Sequence, residues 1–184
     1  MSFKDFINHE RKLDKVIRFS AKGRIKDQTV AEHLFHASLY AMIMADLEKQ
    51  MGNDVDVERL LRATLIHDLE ESVTGDIIFD FKHSDERVAQ DIKDLGQKFF
   101  QDIVAHLPEG LSKNYTELWT NAKDENKIEG RIMHAADRFE ALAYAMEERE
   151  MGNKNFDVII EKLLAELKGM RLKSINMLLA GMGL

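Results

Sequence analysis

The sequence predicts an all-α fold, and three observations support this prediction. Helix breakers are scarce, since Pro108 is the only proline and there are ten glycines among 184 residues. Good helix formers, namely Leu, Ala, Glu, Lys and Met, are abundant. Apolar residues recur at helical spacing along most of the chain. The length and the 45% hydrophobic content are typical of one soluble globular domain, which we expect to span residues 1–184.

The apolar periodicity predicts seven helices in chain order. Thr29 and Glu32 have the spacing of a capping box at the start of the second helix, and Gly52-Asn53 is expected to end it. Ser84 is the expected N-cap of the fourth helix. The predicted ranges are Phe3–Val16, Thr29–Gln50, Val57–Glu70, Ser84–His106, Tyr115–Asn121, Asn126–Met151 and Phe156–Leu179.

Two of these helices have distinctive apolar patterns. The segment Ile132–Met146 is apolar on nearly every side, so the sixth helix is expected to be central and buried. The last helix has one apolar stripe, formed by Phe156, Ile160, Leu163, Leu167 and Met170. No segment is convincing as a strand. Residues Ile77–Phe81 alternate weakly, but they are few and isolated, and we expect a loop there.

The composition excludes several kinds of site. The chain has no cysteine, so disulfides, thiolate metal sites and cysteine nucleophiles are excluded, and any metal must bind to nitrogen and oxygen. The apolar stretch around Leu39–Ala45 is too short to span a bilayer, and residues Met1–Glu10 resemble no signal region. We therefore expect a cytoplasmic protein with no membrane partner.

The charge distribution limits the classes of ligand that the protein is expected to bind. The net charge is −7, and the sequence pI of about 5.5 argues against a nucleic-acid polymer, which requires a broad basic surface. The segment from Arg11 to Lys26 nevertheless contains seven basic residues and one acidic residue. Such a local basic patch fits a small phosphorylated ligand, although a solvated loop is the alternative explanation.

Three residues near the end of the third predicted helix point to metal chemistry. His67 and Asp68 are adjacent, so they project about 100° apart and can both reach one ion near the helix end. Glu71 follows His67 by four residues and Asp68 by three, which places all three on one face if the helix continues that far. This arrangement would put an acid–base carboxylate beside a metal ion without using it as a ligand.

Asp137 and His33 would complete a metal site from other helices. Asp137 lies in a strongly apolar run, where a carboxylate is costly unless it is paired or bound to a cation. A salt bridge to Arg131 or Arg138 is the structural alternative. Two imidazoles and two carboxylates suit one divalent ion, Mn²⁺, Co²⁺, Fe²⁺, Zn²⁺ or Mg²⁺. The histidines expected to be surface or packing residues are His83, His106 and His134.

The order His, His-Asp, Asp resembles that of the HD-domain superfamily of metal-dependent phosphohydrolases. Residues Thr29–His33, His67–Asp76 and Ala135–Asp137 resemble the motifs of its bacterial 5′-deoxyribonucleotidase branch, that is, deoxyribonucleoside 5′-monophosphatases. The spacings agree as well, so that the resemblance covers most of Arg18–Glu148. It implies a compact multi-helix bundle, with its core at about residues 18–150 and a C-terminal helix at about 155–180, and a homodimer.

The resemblance also implies a role for each site residue. Glu71 would be the catalytic acid–base residue, and Asp76 would place the sugar or the nucleophilic water. Arg18 would contact the phosphate. Phe19 stands where the family has a Trp that shapes the sugar pocket, so the preference for deoxyribose stays open. The implied metal ligands are His33, His67, Asp68 and Asp137.

Physical chemistry is consistent with phosphomonoester hydrolysis, since a bound metal lowers the pKa of water from about 15.7 toward 7 and polarises the phosphoryl group. The guanidinium of Arg18 offers planar bidentate donors to phosphate. Other readings remain open. They are an HD-type reaction on a nucleotide pyrophosphate or an alarmone, a non-catalytic nucleotide sensor, and a structural helical dimer joined by the stripe of the last helix.

Overall fold

The computed structural model describes residues 2–82, 84–122 and 124–184, so His83 lies outside the described residues. Within these ranges the chain is helical, and its only extended pairing is an isolated antiparallel bridge between Ile17 and Thr29. The all-α prediction is confirmed. The α-helical segments are α1 Phe3–Glu10, α2 Val30–Gln50, α3 Val57–Ile66, α4 Glu71–Thr74, α5 Phe79–Lys82, α6 Glu86–Val104, α7 Glu109–Ala122, α8 Ile128–Glu150, α9 Asp157–Gly169 and α10 Lys173–Gly181.

The start of α2 is the capping box that the sequence predicts. The Glu32 amide donates to Thr29 Oγ1 at 3.2 Å, and the Thr29 amide donates to Glu32 Oε2 at 2.8 Å. Both amides would otherwise lack an acceptor in the first turn. The bridge between Ile17 and Thr29 immediately precedes this cap, so the entry to α2 and the segment before Arg18 are held together.

The first and third predicted helices extend too far, and the last one is interrupted. Helix α1 stops at Glu10, and the 3₁₀ helix Arg11–Lys15 follows it. Helix α3 stops at Ile66, and His67 is its C-cap, with Nδ1 2.7 Å from the carbonyl oxygen of Thr64. A turn then leads to α4, which begins at Glu71. The last predicted helix is divided into α9 and α10, because the carboxylate of Glu48 accepts a hydrogen bond from the Ser174 amide and so caps a new helix start.

The remaining differences are smaller. Residues Phe79–Lys82, predicted as loop, form the single turn α5, and α7 begins at Glu109 rather than Tyr115. Helix α6 is capped by Asp85, which accepts from the Arg87 amide at 2.8 Å. Ser84, the expected cap, instead donates its hydroxyl to the carbonyl of Phe81.

Helix α8 is central, as predicted, and packs against α2, α3 and α9. The larger apolar cluster is built mainly from α2, α8, α9 and α10, and it contains the stripe residues Phe156, Ile160, Leu163 and Leu167. The stripe therefore packs inside the chain, and the structural-dimer hypothesis that relied on it is wrong on this point. A second cluster around Phe100 contains Leu34 and Leu69.

The two clusters meet at the predicted site. Leu34 and Leu69 of the second cluster are chain neighbours of His33 and Asp68, whereas Ala136 of the first cluster adjoins Asp137. The site residues thus lie on elements that are fixed by packing on both sides. Among the described residues, no helix is long and apolar enough to cross a membrane.

Candidate metal centre

The structure brings the four predicted metal ligands together from three parts of the chain. His33 lies in the first turns of α2, His67 and Asp68 follow α3, and Asp137 lies in α8. His67 Nε2 is 3.1 Å from Asp68 Oδ2, and His33 Nε2 is 3.3 Å from Asp137 Oδ1. Single donor atoms of His33, His67 and Asp68 lie within 4.8 Å of one another. Ligands held about 2.0–2.3 Å from a common ion must be similarly close.

The two imidazoles direct their Nε2 atoms toward this point. Nε2 of His33 and Nε2 of His67 are both buried, and neither has a hydrogen-bond partner. His67 Nδ1 lies 2.7 Å from the Thr64 carbonyl oxygen and must carry a proton to bond it, so that in the neutral ring Nε2 has a free lone pair. A buried polar atom without a partner is costly, and a metal ion is the ligand that suits two such imidazoles. The residues present therefore fit a divalent metal.

Glu140 is a site residue that the sequence analysis missed. Its Oε2 lies 2.5 Å from His33 Nδ1, on the side of the ring opposite to the metal-facing nitrogen. Glu140 is only 2% exposed. It follows Asp137 by three residues on α8, so both project from the same helix face. The signal in the sequence that could have identified Glu140 was a second carboxylate three residues after Asp137 in an apolar helix.

Arg18 and Gln28 complete the surroundings of Glu140. Arg18 Nη1 donates to Glu140 Oε2 at 2.6 Å, and Gln28 Nε2 donates to Oε1 at 2.5 Å. Arg18 Nη1 also lies 2.8 Å from His33 Nδ1, because both donors share one acceptor oxygen. The predicted phosphate-binding arginine is thus packed against the metal centre, with Nη2 4.0 Å from Asp137 Oδ1.

The centre is rich in negative charge, since Arg18 interacts electrostatically with Asp68, Asp76, Asp137 and Glu140. Burial raises the pKa of Asp137, but the close imidazole of His33 and the charge of His67 outweigh burial and hold that pKa well below its usual range. Burial and Arg18 lower the pKa of His33, but its close carboxylates raise it to about 10.

Glu71 lies at the start of α4, within electrostatic range of Asp68 and Asp76. Burial raises the pKa of its carboxyl well above the usual value, and the charges of Asp68 and Asp76 raise it further. This direction is opposite to that expected beside a bound cation, because the chain itself surrounds Glu71 with carboxylates. A bound divalent ion would oppose this shift.

The side chain of Asp76 contacts the backbone of Phe19. The Phe19 amide donates to Asp76 Oδ2 at 2.9 Å, and Phe19 has a left-handed φ of 52°. Among the described residues other than glycine, Phe19 alone has a positive φ, and such backbone strain is frequently found at functional sites. The ring of Phe19 stacks on Tyr144 with a centroid distance of 5.3 Å and meets Phe156 edge-on, so the structure places it against the core.

The loop that carries Arg18 and Phe19 is fastened to the end of α8. Glu148, which is fully buried, accepts hydrogen bonds from the amides of Ile25 and Lys26. Tyr144 donates its hydroxyl to the Lys26 carbonyl at 2.6 Å. The basic segment identified in the sequence is therefore not merely a solvated loop, because its C-terminal end is fixed by buried groups of α8.

Trp119 supports the opposite side of the centre. Its indole Nε1 lies 3.0 Å from the carbonyl oxygen of His67 and 3.1 Å from Glu70 Oε2. The ring stacks on Phe100 in the second apolar cluster. Helix α7 thus fixes the peptide that carries the second predicted imidazole ligand.

Comparison with known proteins places this centre in a family. A family model described as 5′-deoxynucleotidase YfbR-like matches residues 5–182, which is nearly the whole chain. The chain belongs to the YfbR-like family. The 5′-deoxynucleotidase YfbR of Escherichia coli O1:K1 is 25% identical over 174 residues, covering 93% of this chain and 86% of that protein. The same identity and coverage are found for YfbR of Escherichia coli strain S88.

Solved structures show the same fold as this YfbR-like chain. An HD-domain phosphohydrolase from Listeria innocua superposes with a TM-score of 0.87 at 23% identity, covering 98% of this chain and 87% of that one. A Pyrococcus horikoshii protein superposes with a TM-score of 0.80 at 20% identity, covering 98% of each chain. The predicted HD-domain fold is confirmed. Membership of the YfbR-like family makes the chain a phosphohydrolase.

Proposed function

We propose that this phosphohydrolase cleaves nucleoside 5′-monophosphates to nucleoside and phosphate with the help of one divalent ion. The observation that carries the proposal is the pair of buried, unpartnered Nε2 atoms of His33 and His67, which face two carboxylates. The substrate class is supported by the name of the family, 5′-deoxynucleotidase YfbR-like, whose model matches residues 5–182.

His33, His67, Asp68 and Asp137 would hold the metal. Bound there, a divalent ion supplies Lewis-acid polarisation of the phosphoryl oxygens and lowers the pKa of water. The donor set of imidazole and carboxylate suits Mn²⁺, Co²⁺, Fe²⁺ or Zn²⁺, with Mg²⁺ less favoured because it prefers oxygen ligands. The identity of the ion is open in this proposal.

The other residues act on the substrate and its protons. Arg18 would bind the phosphate from the edge of the centre, where its guanidinium is oriented by Glu140. Glu71 would exchange a proton with the attacking water or the leaving 5′-oxygen, since it lies within electrostatic range of Asp68 and Asp76 without belonging to the predicted ligand set. Asp76 would place the sugar or the water, and it fixes the Phe19 amide beside them.

The preference for deoxyribose or ribose is the most specific part of the proposal. In this chain Phe19 packs against Tyr144 and Phe156 and has no indole donor. We propose that deoxyribonucleotides are accepted, in line with the family, and that ribonucleotides are rejected less strictly than by a protein with Trp at this position. Hydrolysis of a nucleotide pyrophosphate or an alarmone is the alternative activity at the same centre. We also propose a homodimer, as the family resemblance implies, and a cytoplasmic location, as expected from the sequence analysis.

Phosphate release from a panel of deoxyribo- and ribonucleoside 5′-monophosphates tests the proposal. The protein is stripped of metal and then supplied in turn with Mn²⁺, Co²⁺, Zn²⁺ or Mg²⁺. We expect metal-dependent release that falls by at least roughly a hundredfold in Asp68→Asn and Glu71→Gln, because each change removes an ionisable carboxyl group with little change of shape. Asp46→Asn is the matched control, since Asp46 is exposed on α2.

The possible outcomes of this experiment distinguish between the proposed activities. Loss of activity in both site variants, with full activity in Asp46→Asn, supports a nucleotidase at this centre. A protein that binds metal and nucleotide but releases no phosphate from any monophosphate contradicts the proposal. Release from a pyrophosphate or an alarmone in that same protein would then establish the alternative substrate class.

A further inference from the structure

Glu140 contacts the candidate metal centre indirectly, through His33, which is itself a predicted metal ligand. Its Oε2 lies 2.5 Å from Nδ1 of His33, whereas Nε2 of the same ring faces Asp137 and Asp68 at 3.3 and 3.6 Å. The carboxylate is 2% exposed and therefore loses most of its hydration on folding. It is not one of the predicted ligands, and the family motifs quoted above do not include it.

The carboxylate itself is held in one orientation. Arg18 Nη1 donates to the same Oε2 at 2.6 Å, and Gln28 Nε2 donates to Oε1 at 2.5 Å. The backbone fixes these two donors relative to each other, because the Arg18 amide donates to the Gln28 carbonyl at 2.9 Å. Rotation of the Glu140 carboxylate would break both bonds, so the group that faces His33 cannot turn away.

The hydrogen bond at the second ring nitrogen determines the tautomer and the orientation of an imidazole that binds a metal. A carboxylate that accepts from Nδ1–H fixes the tautomer, leaves Nε2 as the lone pair, orients the ring and increases the basicity of the ligand. We propose that Glu140 is a positioning residue that sets the metal affinity of the centre by holding His33 in this tautomer. Gln28 is its support, and Arg18 shares its carboxylate oxygen.

The arrangement links two parts of the proposed function. The proposal rests on the metal centre described above, but not on the identity of the substrate. Because Arg18 and His33 bond the same oxygen atom, loss of Glu140 would disturb the metal ligand and the proposed phosphate-binding arginine together. Glu140 itself touches neither metal nor substrate in this scheme, and it acts through these two residues.

Metal titration of the stripped protein tests the proposal without a substrate. Zn²⁺ and Mn²⁺ affinities are measured by calorimetry for the wild type, Glu140→Gln and Glu48→Gln. Glu48→Gln is the matched control, because Glu48 is also a buried glutamate, 2% exposed, whose contacts are Asn53 and Ser174. We expect affinity to fall about 10- to 100-fold in Glu140→Gln and to stay at the wild-type value in Glu48→Gln.

A second measurement needs no variant and therefore does not depend on the folding of Glu140→Gln. Long-range ¹H–¹⁵N correlation spectra of the zinc-loaded wild type report which ring nitrogen of His33 carries the proton. The proposal requires a protonated, hydrogen-bonded Nδ1 and a zinc-bound Nε2. The reverse assignment overturns it.

The possible results distinguish this inference from the proposed function. If the wild type binds neither ion, the metal centre of the proposed function fails, and the role of Glu140 fails with it. If the wild type binds metal and Glu140→Gln binds it equally well, only the positioning role is overturned. Weakened binding in Glu140→Gln alone supports the role, whereas equal weakening in Glu48→Gln would show a general effect of neutralising a buried glutamate and would overturn it.

Discussion

The long helices α2 and α8 end in the same six-residue pattern, Glu-x-x-Met-Gly-Asn, at residues 48–53 and 148–153. The local structure is the same at both ends. Gly52 and Gly152 have φ values of 90° and 98°, and the Asn side chain donates to the Glu carboxylate at 2.7 Å in the first case and 2.6 Å in the second. A glycine with positive φ after a helix is a common way to satisfy its last carbonyls.

The two glutamates differ in what else they bind. Glu48 accepts from the Ser174 amide and so fastens α10 to the end of α2. Glu148 accepts from the amides of Ile25 and Lys26, in the loop that leads from Arg18 back to α2. Both carboxylates are buried, and their hydrogen bonds outweigh burial and lower the pKa of each. The same local motif therefore supports the fold at one site and the candidate active site at the other.

The largest effect is expected on stability when either glutamate is neutralised. Glu148→Gln and Glu48→Gln would each leave a buried N–H facing another donor, at a cost of about 1–3 kcal/mol in the free energy of unfolding. The loss should be larger for Glu148, which accepts from two backbone amides and Asn153. Urea denaturation of both variants measures the difference. A larger loss in Glu48→Gln would contradict this ranking.

A second effect should separate the two regions by function. In Glu148→Gln the loop at residues 25 and 26 loses its anchor, and small displacements of a substrate-binding group such as Arg18 are costly. We expect phosphate release per folded molecule to fall by at least roughly tenfold in Glu148→Gln. Glu48→Gln should keep the wild-type rate, because α10 carries no site residue. Equal rates in the two variants would show that the anchor does not position the loop.

The smallest effect should be the same at both helix ends. Alanine at Gly52 or Gly152 meets no atom within 4 Å, so each change costs only the left-handed backbone conformation, about 1 kcal/mol. Thermal unfolding of Gly52→Ala and Gly152→Ala should give similar shifts in Tm. A much larger shift for one of them would mean that the two ends are not locally equivalent.

Local signals in the sequence were sufficient for most of the fold. The capping box at Thr29, the glycine after α2 and the apolar run of α8 all depend on residues within one or two turns, and the structure confirms each of them. The end of α3 at Ile66 and the break before α10 were not predictable in this way. The break depends on Glu48, which is distant in sequence and becomes a helix cap only after folding.

In the candidate site, too, some residues could be predicted from local sequence signals and others could not. His33, His67, Asp68 and Asp137 were identified from their order and spacing, and the structure brings their side chains together. Glu140 was missed because its partners Arg18 and Gln28 lie more than one hundred residues away. The orientation of Phe19 could not be predicted from the sequence either, since its left-handed backbone and its stacking on Tyr144 depend on Asp76 and α8.

The sequence by itself determined that the chain is helical and that any metal ligands must be nitrogen and oxygen, and it predicted which motifs would carry them. These properties follow from composition and from spacings along single helices. Only the tertiary structure decided that Glu140 faces His33 and that Glu48 and Glu148 serve different regions. The physical reason is that a buried carboxylate needs donors, and folding alone determines which distant donors are brought within reach.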